Sequence, residues 1–250
     1  MDRREKRDSR EKEIVETTIA LFSERGFLGV RMSDIAREAG YSMGTIYSHF
    51  ESKEDLLIAC AYMLNLDQNK LFDELASRDI PAIEKIVSLA HCSWMISMQH
   101  PDLIEIDNLS LMPSVWRRAT THRAELLTRL HVELADTFLN IVLAAIEHDI
   151  DGHGALDEGS KKQLATYFTH GMWGLCVGLS STAQSGYAST LCPERSDESN
   201  EHFTTNYMNF LKGYGWQEKN PEAVFERCLK VARECIATTR WFAVDAEQHS

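Results

Sequence analysis

Apolar residues recur along this chain at three- and four-residue intervals, a pattern that predicts helices from one end to the other. Ile14, Thr18, Leu21 and Phe22 share one face and predict a helix over 10–25, which Gly26 stops. Ile35, Ala36 and Ala39 predict a short helix over 32–39, ended by Gly40. Ser42 suits the N-cap of a third helix over 43–49, with Ile46 and Phe50 facing inward. Ser52-Lys53-Glu54-Asp55 opens a fourth with a serine cap and acids in the first turn, where the helix dipole favours them. It runs to about residue 76 through Leu56, Leu57, Cys60, Leu64 and Leu71. Beyond Pro81, helices are predicted at about 81–99, 102–109, 114–149, 160–185, 201–213 and 221–245. Segments 149–159, 186–200 and 213–221 are rich in glycine, proline or polar residues and read as loops. With no strand signal and no internal repeat, the expected fold is all-α, with about nine or ten helices. A three-helix domain over 1–52 is followed by a linking helix over 53–76 and a larger helical body over 77–250.

Composition narrows the function. Of 250 residues, 44% are hydrophobic, enough for a buried core. No apolar run approaches the ~20 residues of a membrane span, and the charged start Met1-Asp-Arg-Arg-Glu-Lys-Arg lacks the apolar stretch of a secretory signal. A cytoplasmic protein is expected. Cys60, Cys92, Cys176, Cys192, Cys228 and Cys235 are scattered without zinc or disulfide spacing and read mostly as small buried residues. The net charge of −12 is unevenly distributed. Residues 1–53 hold ten basic and ten acidic groups, and the first twelve residues six basic and four acidic. The acidic surplus therefore lies outside the N-terminal domain and does not exclude contact with phosphates there.

The block Ser33-Asp-Ile-Ala-Arg-Glu-Ala-Gly40-Tyr-Ser-Met-Gly-Thr-Ile-Tyr-Ser-His-Phe50-Glu-Ser-Lys53 has the layout of a helix-turn-helix, whose second helix enters the DNA major groove. Residues 43–49 offer a short outward face of Met43, Gly44, Thr45, Tyr47, Ser48 and His49. Glycine and serine permit close approach, and the hydroxyls and ring nitrogens can donate to phosphate oxygens. Lys53 adds a cation at a helix N-terminus.

Gly26-Phe27, Asp34-Ile35-Ala36, Ala39-Gly40, Gly44-Thr45-Ile46-Tyr47-Ser48-His49-Phe50 and Lys53-Glu54-Asp55-Leu56-Leu57 together resemble the N-terminal domain of the TetR family of bacterial transcriptional regulators. The resemblance covers about residues 10–60. It implies a homodimer on a palindromic operator, repressing transcription until a small molecule occupies the C-terminal domain. By position, Thr45, Tyr47, His49 and Lys53 would contact phosphates, while Met43, Gly44 and Ser48 would lie nearest the bases. Ser33 and Ser42 are expected to bind DNA on the same surface. The chain departs from the family at Arg31, where a threonine cap is usual. Either Ser33 caps a helix that starts late, or Arg31 reaches a phosphate; loss of a cap costs roughly 1 kcal/mol.

The body carries weaker signals. Gly171, Gly174 and Gly178 form a small-residue stripe, each at a helix-propensity cost of roughly 0.8–1 kcal/mol. The last helix carries a matching face of Val224, Cys228, Val231 and Cys235. These two helices are expected to form a four-helix dimer interface, as in the resembled family, unless both stripes pack within one subunit. Trp94, Met98, Met112, Trp116, Phe138, Tyr167, His170 and Trp173 suggest a largely apolar ligand pocket, although such residues are commonly ordinary core. His91, His122, His131 and His170 read as surface or hydrogen-bonded core, and Arg117, Arg118, Arg123 and Arg129 as a solvated face. No metal or cofactor is expected, and no catalytic motif supports an enzyme. The competing readings are a redox-sensing regulator using Cys228 and Cys235, and a helical binding protein or enzyme with no DNA partner.

Overall fold

The computed structural model describes residues 2–153, 155–185, 190 and 199–243, and these are helical with no strand. In chain order the helices are α1 (Arg3–Gly29), α2 (Met32–Glu38), α3 (Met43–His49), α4 (Lys53–Ser77), α5 (Ala82–Gln99), α6 (Pro101–Ser110), α7 (Pro113–Trp116), α8 (Thr121–His148), α9 (Glu158–Gln184), α10 (Ser199–Gly213) and α11 (Pro221–Ile236). None is long and apolar enough to cross a membrane. Most of the loop expected over 186–200, with Cys192 and residues 244–245 of the last predicted helix, lies outside the described residues.

The chain divides into two compact units. The first comprises Met1–Gln68 and His100–Glu133, so residues 100–133 of the predicted body belong with the N-terminal helices. α1 starts earlier than its apolar pattern suggests. Asp2 accepts the N–H groups of Arg4 and Glu5, and the Glu5 carboxylate accepts that of Asp2, which satisfies donors a helix start leaves free. Gly26, at φ 68°, breaks α1 as expected. Gly40, at φ 71°, ends α2, with the Tyr41 N–H on the Ala36 carbonyl. Ile14, Ile19, Phe22, Ile35, Ile46, Phe50, Leu56 and Leu57 form the core. From Leu56 to Ala61 every residue of α4 is buried, so this stretch is apolar all round rather than striped.

The single helix expected over 114–149 is two. Residues 117–120 break it because polar groups from far upstream capture its backbone. The Asp55 carboxylate accepts the Thr120 N–H at 2.9 Å and hydroxyl at 2.8 Å, and the Ser52 hydroxyl donates to the Arg118 carbonyl at 2.9 Å.

The second unit comprises Asn69–Gln99 and Leu134–Ser250. α11 ends at Ile236, short of the expected 245, where Thr238 and Thr239 hydroxyls turn back onto the Cys235 and Ile236 carbonyls and Phe242 is buried. α11 packs on α5: the Cys228 thiol lies 3.4 Å from the Glu84 carbonyl, and the Cys92 thiol 3.7 Å from that of Ala232. Val224, Cys228 and Cys235 are therefore buried against their own chain, with Val231 half-buried, which corrects the expectation of a dimer face there. An aromatic cluster joins α5, α10 and α11. Trp94 stacks on Phe203 at 4.9 Å, and the His91 ring lies 5.5 Å from both Phe203 and Phe225. Burial pushes the His91 pKa down to about 4, and its Nε2 has no hydrogen-bond partner among the described residues, unlike the hydrogen-bonded core histidine expected.

Candidate nucleic-acid interface

The α2–turn–α3 segment is assembled from local rules. Arg31 occupies the N-cap position of α2, and its guanidinium accepts nothing; instead its backbone N–H donates to the Asp34 carboxylate at 3.0 Å. That bond, with Arg37 beside it, holds the Asp34 pKa below its usual value. Ser33 lies inside the first turn, so it is not the cap. Ser42 caps α3 as expected, accepting the Thr45 N–H at 3.1 Å. Ile46 and the His49 side chain are buried behind α3, and Phe50 follows them into the core.

The outward face of α3 is small and polar. Met43 is 38% exposed, Tyr47 51%, and Gly44 and Ser48 are also exposed. The Ser48 hydroxyl donates to the Thr45 carbonyl, and the Thr45 hydroxyl meets that of Ser42 at 2.9 Å. Seven residues span ~10 Å, within the ~12 Å width of a DNA major groove.

Two of the expected phosphate contacts are engaged inward. The Lys53 ammonium donates to the carbonyls of Phe27 at 2.7 Å and Val30 at 2.9 Å and lies 4.1 Å from the centre of the Phe27 ring. It thus satisfies carbonyls left free where α1 breaks, and burial lowers its pKa. The His49 side chain is 3% exposed, with Nδ1 3.3 Å from the Glu11 carboxylate. Both residues brace the reading head and do not project from it, which corrects the expected outward roles.

The brace beneath α3 is not evident in the sequence. Arg123, expected on a solvated face, has a side chain only 12% exposed. Its guanidinium meets Glu11 at 2.9 Å, Asp55 at 3.4 Å and the His49 carbonyl at 3.2 Å, over the Phe50 ring at 4.4 Å. Asp55 is 1% exposed and also accepts the Glu51 N–H. α1, α3, α4 and α8 thereby share one buried polar knot. The available signal was Asp55 itself, an acid flanked by the apolar run of α4.

The expected pocket residues are divided between the two units. Met112 and Trp116 belong to the first unit. In the second, Trp94 is core and donates to Asn200, and Phe138 packs edge-on against Phe72. Met98 is half-buried. Tyr167, His170 and Trp173 point outward from α9, with Tyr167 57% and Trp173 59% exposed. A groove of about 430 Å³ lies elsewhere in this unit, lined by Asp73, Ala76, Ala82, Lys85, Thr137, Asn140, Ile141 and Ala144. Gly171 faces α10, where an added Cβ would sit 2.9 Å from the Phe210 ring, whereas Gly174 and Gly178 are exposed with open space around them. Cys228 and Cys235 are buried, with pKa values pushed up to about 12 and about 11 by burial, a poor environment for a redox sensor.

Residues 14–60 match the family described as bacterial regulatory proteins, tetR family. Over 65 residues the chain is 40% identical to the uncharacterized HTH-type transcriptional regulator YerO of Bacillus subtilis, a match covering 26% of this chain and 22% of that one. It is 28% identical over 159 residues to the fatty acid metabolism regulator protein of Bacillus subtilis, covering 64% of this chain and 77% of the relative. The fold is similar to that of the transcriptional regulator FadR from Bacillus subtilis in complex with stearoyl-CoA, with a TM-score of 0.51, 17% identity, and coverage of 88% of this chain and 98% of that one.

Proposed function

From the match of residues 14–60 to the tetR family of bacterial regulatory proteins, we propose that this chain is a cytoplasmic, homodimeric repressor. It binds a palindromic operator and leaves it when a small, largely apolar ligand occupies the body. The observation that carries this reading is α3: a capped helix with Ile46 and the His49 side chain buried behind it and Met43, Gly44, Tyr47 and Ser48 exposed to meet base edges. In this reading Thr45 and Tyr47 contact phosphates, and Ser33 and Ser42 border them, while His49 and Lys53 hold the head in shape. The dimer uses the outward face of α9, where Tyr167, His170, Trp173, Gly174, Val177 and Gly178 recur at helical spacing as an exposed, largely apolar stripe. Two copies of the head then address successive major grooves, roughly 34–36 Å apart. The bound stearoyl-CoA of the FadR structure makes a long acyl chain the first ligand to test.

The test is selection of duplexes from a random pool with the full chain, followed by gel shift with and without a long-chain acyl-CoA. The expected result is a palindromic consensus, two chains per duplex, and release by an apolar ligand. Absence of any consensus, or one chain per site, would refute the proposal.

A further inference from the structure

The first three turns of α1 are exposed from Asp2 to Arg10, yet they are not a featureless charged tail. At about 100° per residue, Lys6, Arg10, Arg3 and Arg7 fall within an arc of about 100°. The acids Glu5, Asp8 and Glu11 lie outside it. The arc overlaps one edge of the face that buries Ile14 and Leu21 further along the helix, and the centre of that face continues through Glu11 and Arg4.

The direction of the arc is fixed by contacts with the reading head. The Arg7 guanidinium lies 3.5 Å from the Ser48 carbonyl, at the C-terminal end of α3. Arg10 lies 5.7 Å from the centre of the Tyr41 ring, in the turn before α3. The Tyr41 hydroxyl in turn bonds the Glu13 carboxylate, tying the turn to α1. The basic arc is thus anchored at both ends of α3. Among the described residues none of its four cations forms an ion pair with a carboxylate. An uncovered face of four cations, continuous with a base-reading helix, is complementary to the DNA backbone.

We propose that Arg3, Lys6, Arg7 and Arg10 form a helical rail for the phosphates of double-stranded DNA beside the groove that α3 enters. The proposal rests on the DNA-binding reading above. The rail supplies affinity and salt dependence without sequence information, and it offsets the acidic surplus of the body. It extends the footprint of the head beyond α2 and α3.

The test compares the full-length chain with its Arg3→Gln/Lys6→Gln/Arg7→Gln variant on a duplex selected from a random pool by the wild-type protein. Glutamine keeps helix propensity close to that of the residues replaced, and far-UV circular dichroism checks that α1 persists. Binding is measured across a salt series. Each lost phosphate contact lowers the slope of log affinity against log salt by roughly 0.9, so a dimer losing six contacts drops by about 5. Affinity at physiological salt falls at least tenfold. Lys12→Gln, on the opposite side of α1 beside Glu16, leaves the slope unchanged. An unchanged slope in the triple variant, with or without weaker binding, overturns the rail while the DNA-binding reading stands. A wild-type chain that retains no duplex at low salt overturns both.

Discussion

The buried knot around Asp55 and Arg123 supports a quantitative prediction. Arg123→Met removes the guanidinium but keeps an aliphatic stem over Phe50. The Asp55 carboxylate, 1% exposed, then keeps only the Thr120 and Glu51 donors, and Glu11 loses its 2.9 Å partner. Breaking a buried ion pair costs about 3–5 kcal/mol. With three donors remaining on Asp55, the lower end applies, about 3 kcal/mol. Asp55→Asn keeps an acceptor for Thr120 but leaves Arg123 with Glu11 as its one charged partner. If the two charges act on each other, the double variant loses less than the two single losses added together, with a coupling of about 2 kcal/mol. Urea denaturation followed by circular dichroism measures all four proteins. Additive losses within about 0.5 kcal/mol would show that the pair is two independent contacts and refute the knot as a unit.

Two further predictions concern the second unit. His91 has its pKa held at about 4 by burial, below the unfolded value near 6.5, so the unfolded chain binds more protons between these values. Its contribution is fully present above pH 6.5 and is lost as pH falls towards 4, about 3 kcal/mol in all; His91→Leu is expected to flatten this part of the urea-midpoint profile, and an unaltered profile would contradict it. Gly171→Ala forces a Cβ to 2.9 Å from the Phe210 ring and is expected to destabilise the fold by about 1–3 kcal/mol. Gly174→Ala has open space and is expected to raise helix stability by up to about 1 kcal/mol while weakening self-association, read by thermal melts and sedimentation; the same effect from both substitutions would refute the two-sided reading of α9.

The parts of the molecule legible in the sequence are those fixed by neighbours a few residues apart. Gly26, Gly40 and Ser42 set their breaks and cap through local backbone geometry, and the spacing of Ile35, Ile46 and Phe50 fixes which side of the head faces inward. The gap between α7 and α8 was not legible, because Ser52 and Asp55 cause it from some 65 positions away. The amphipathic face of α11 was legible as buried, but periodicity does not say whether the covering helix is in the same chain; here it is α5. Tyr167 and Trp173 illustrate the converse. Large aromatic residues suggested an interior cavity, while their register on α9 turns them to solvent. The burial of Arg123 is hidden in the sequence because charge alone suggests exposure, and the acids that enclose it come from α1 and α4.

The division of labour within α3 has an evolutionary consequence. Ile46, with Phe50 behind it, holds the helix in place, whereas Met43, Gly44, Tyr47 and Ser48 contribute nothing to the core. Substitutions at these four positions are expected to have little effect on folding, because the brace formed by Lys53, His49 and Arg123 lies outside them. On the DNA-binding role proposed for α3, target choice and structural integrity are heritable as separate traits: a duplicated copy can acquire a new binding sequence while inheriting an intact scaffold.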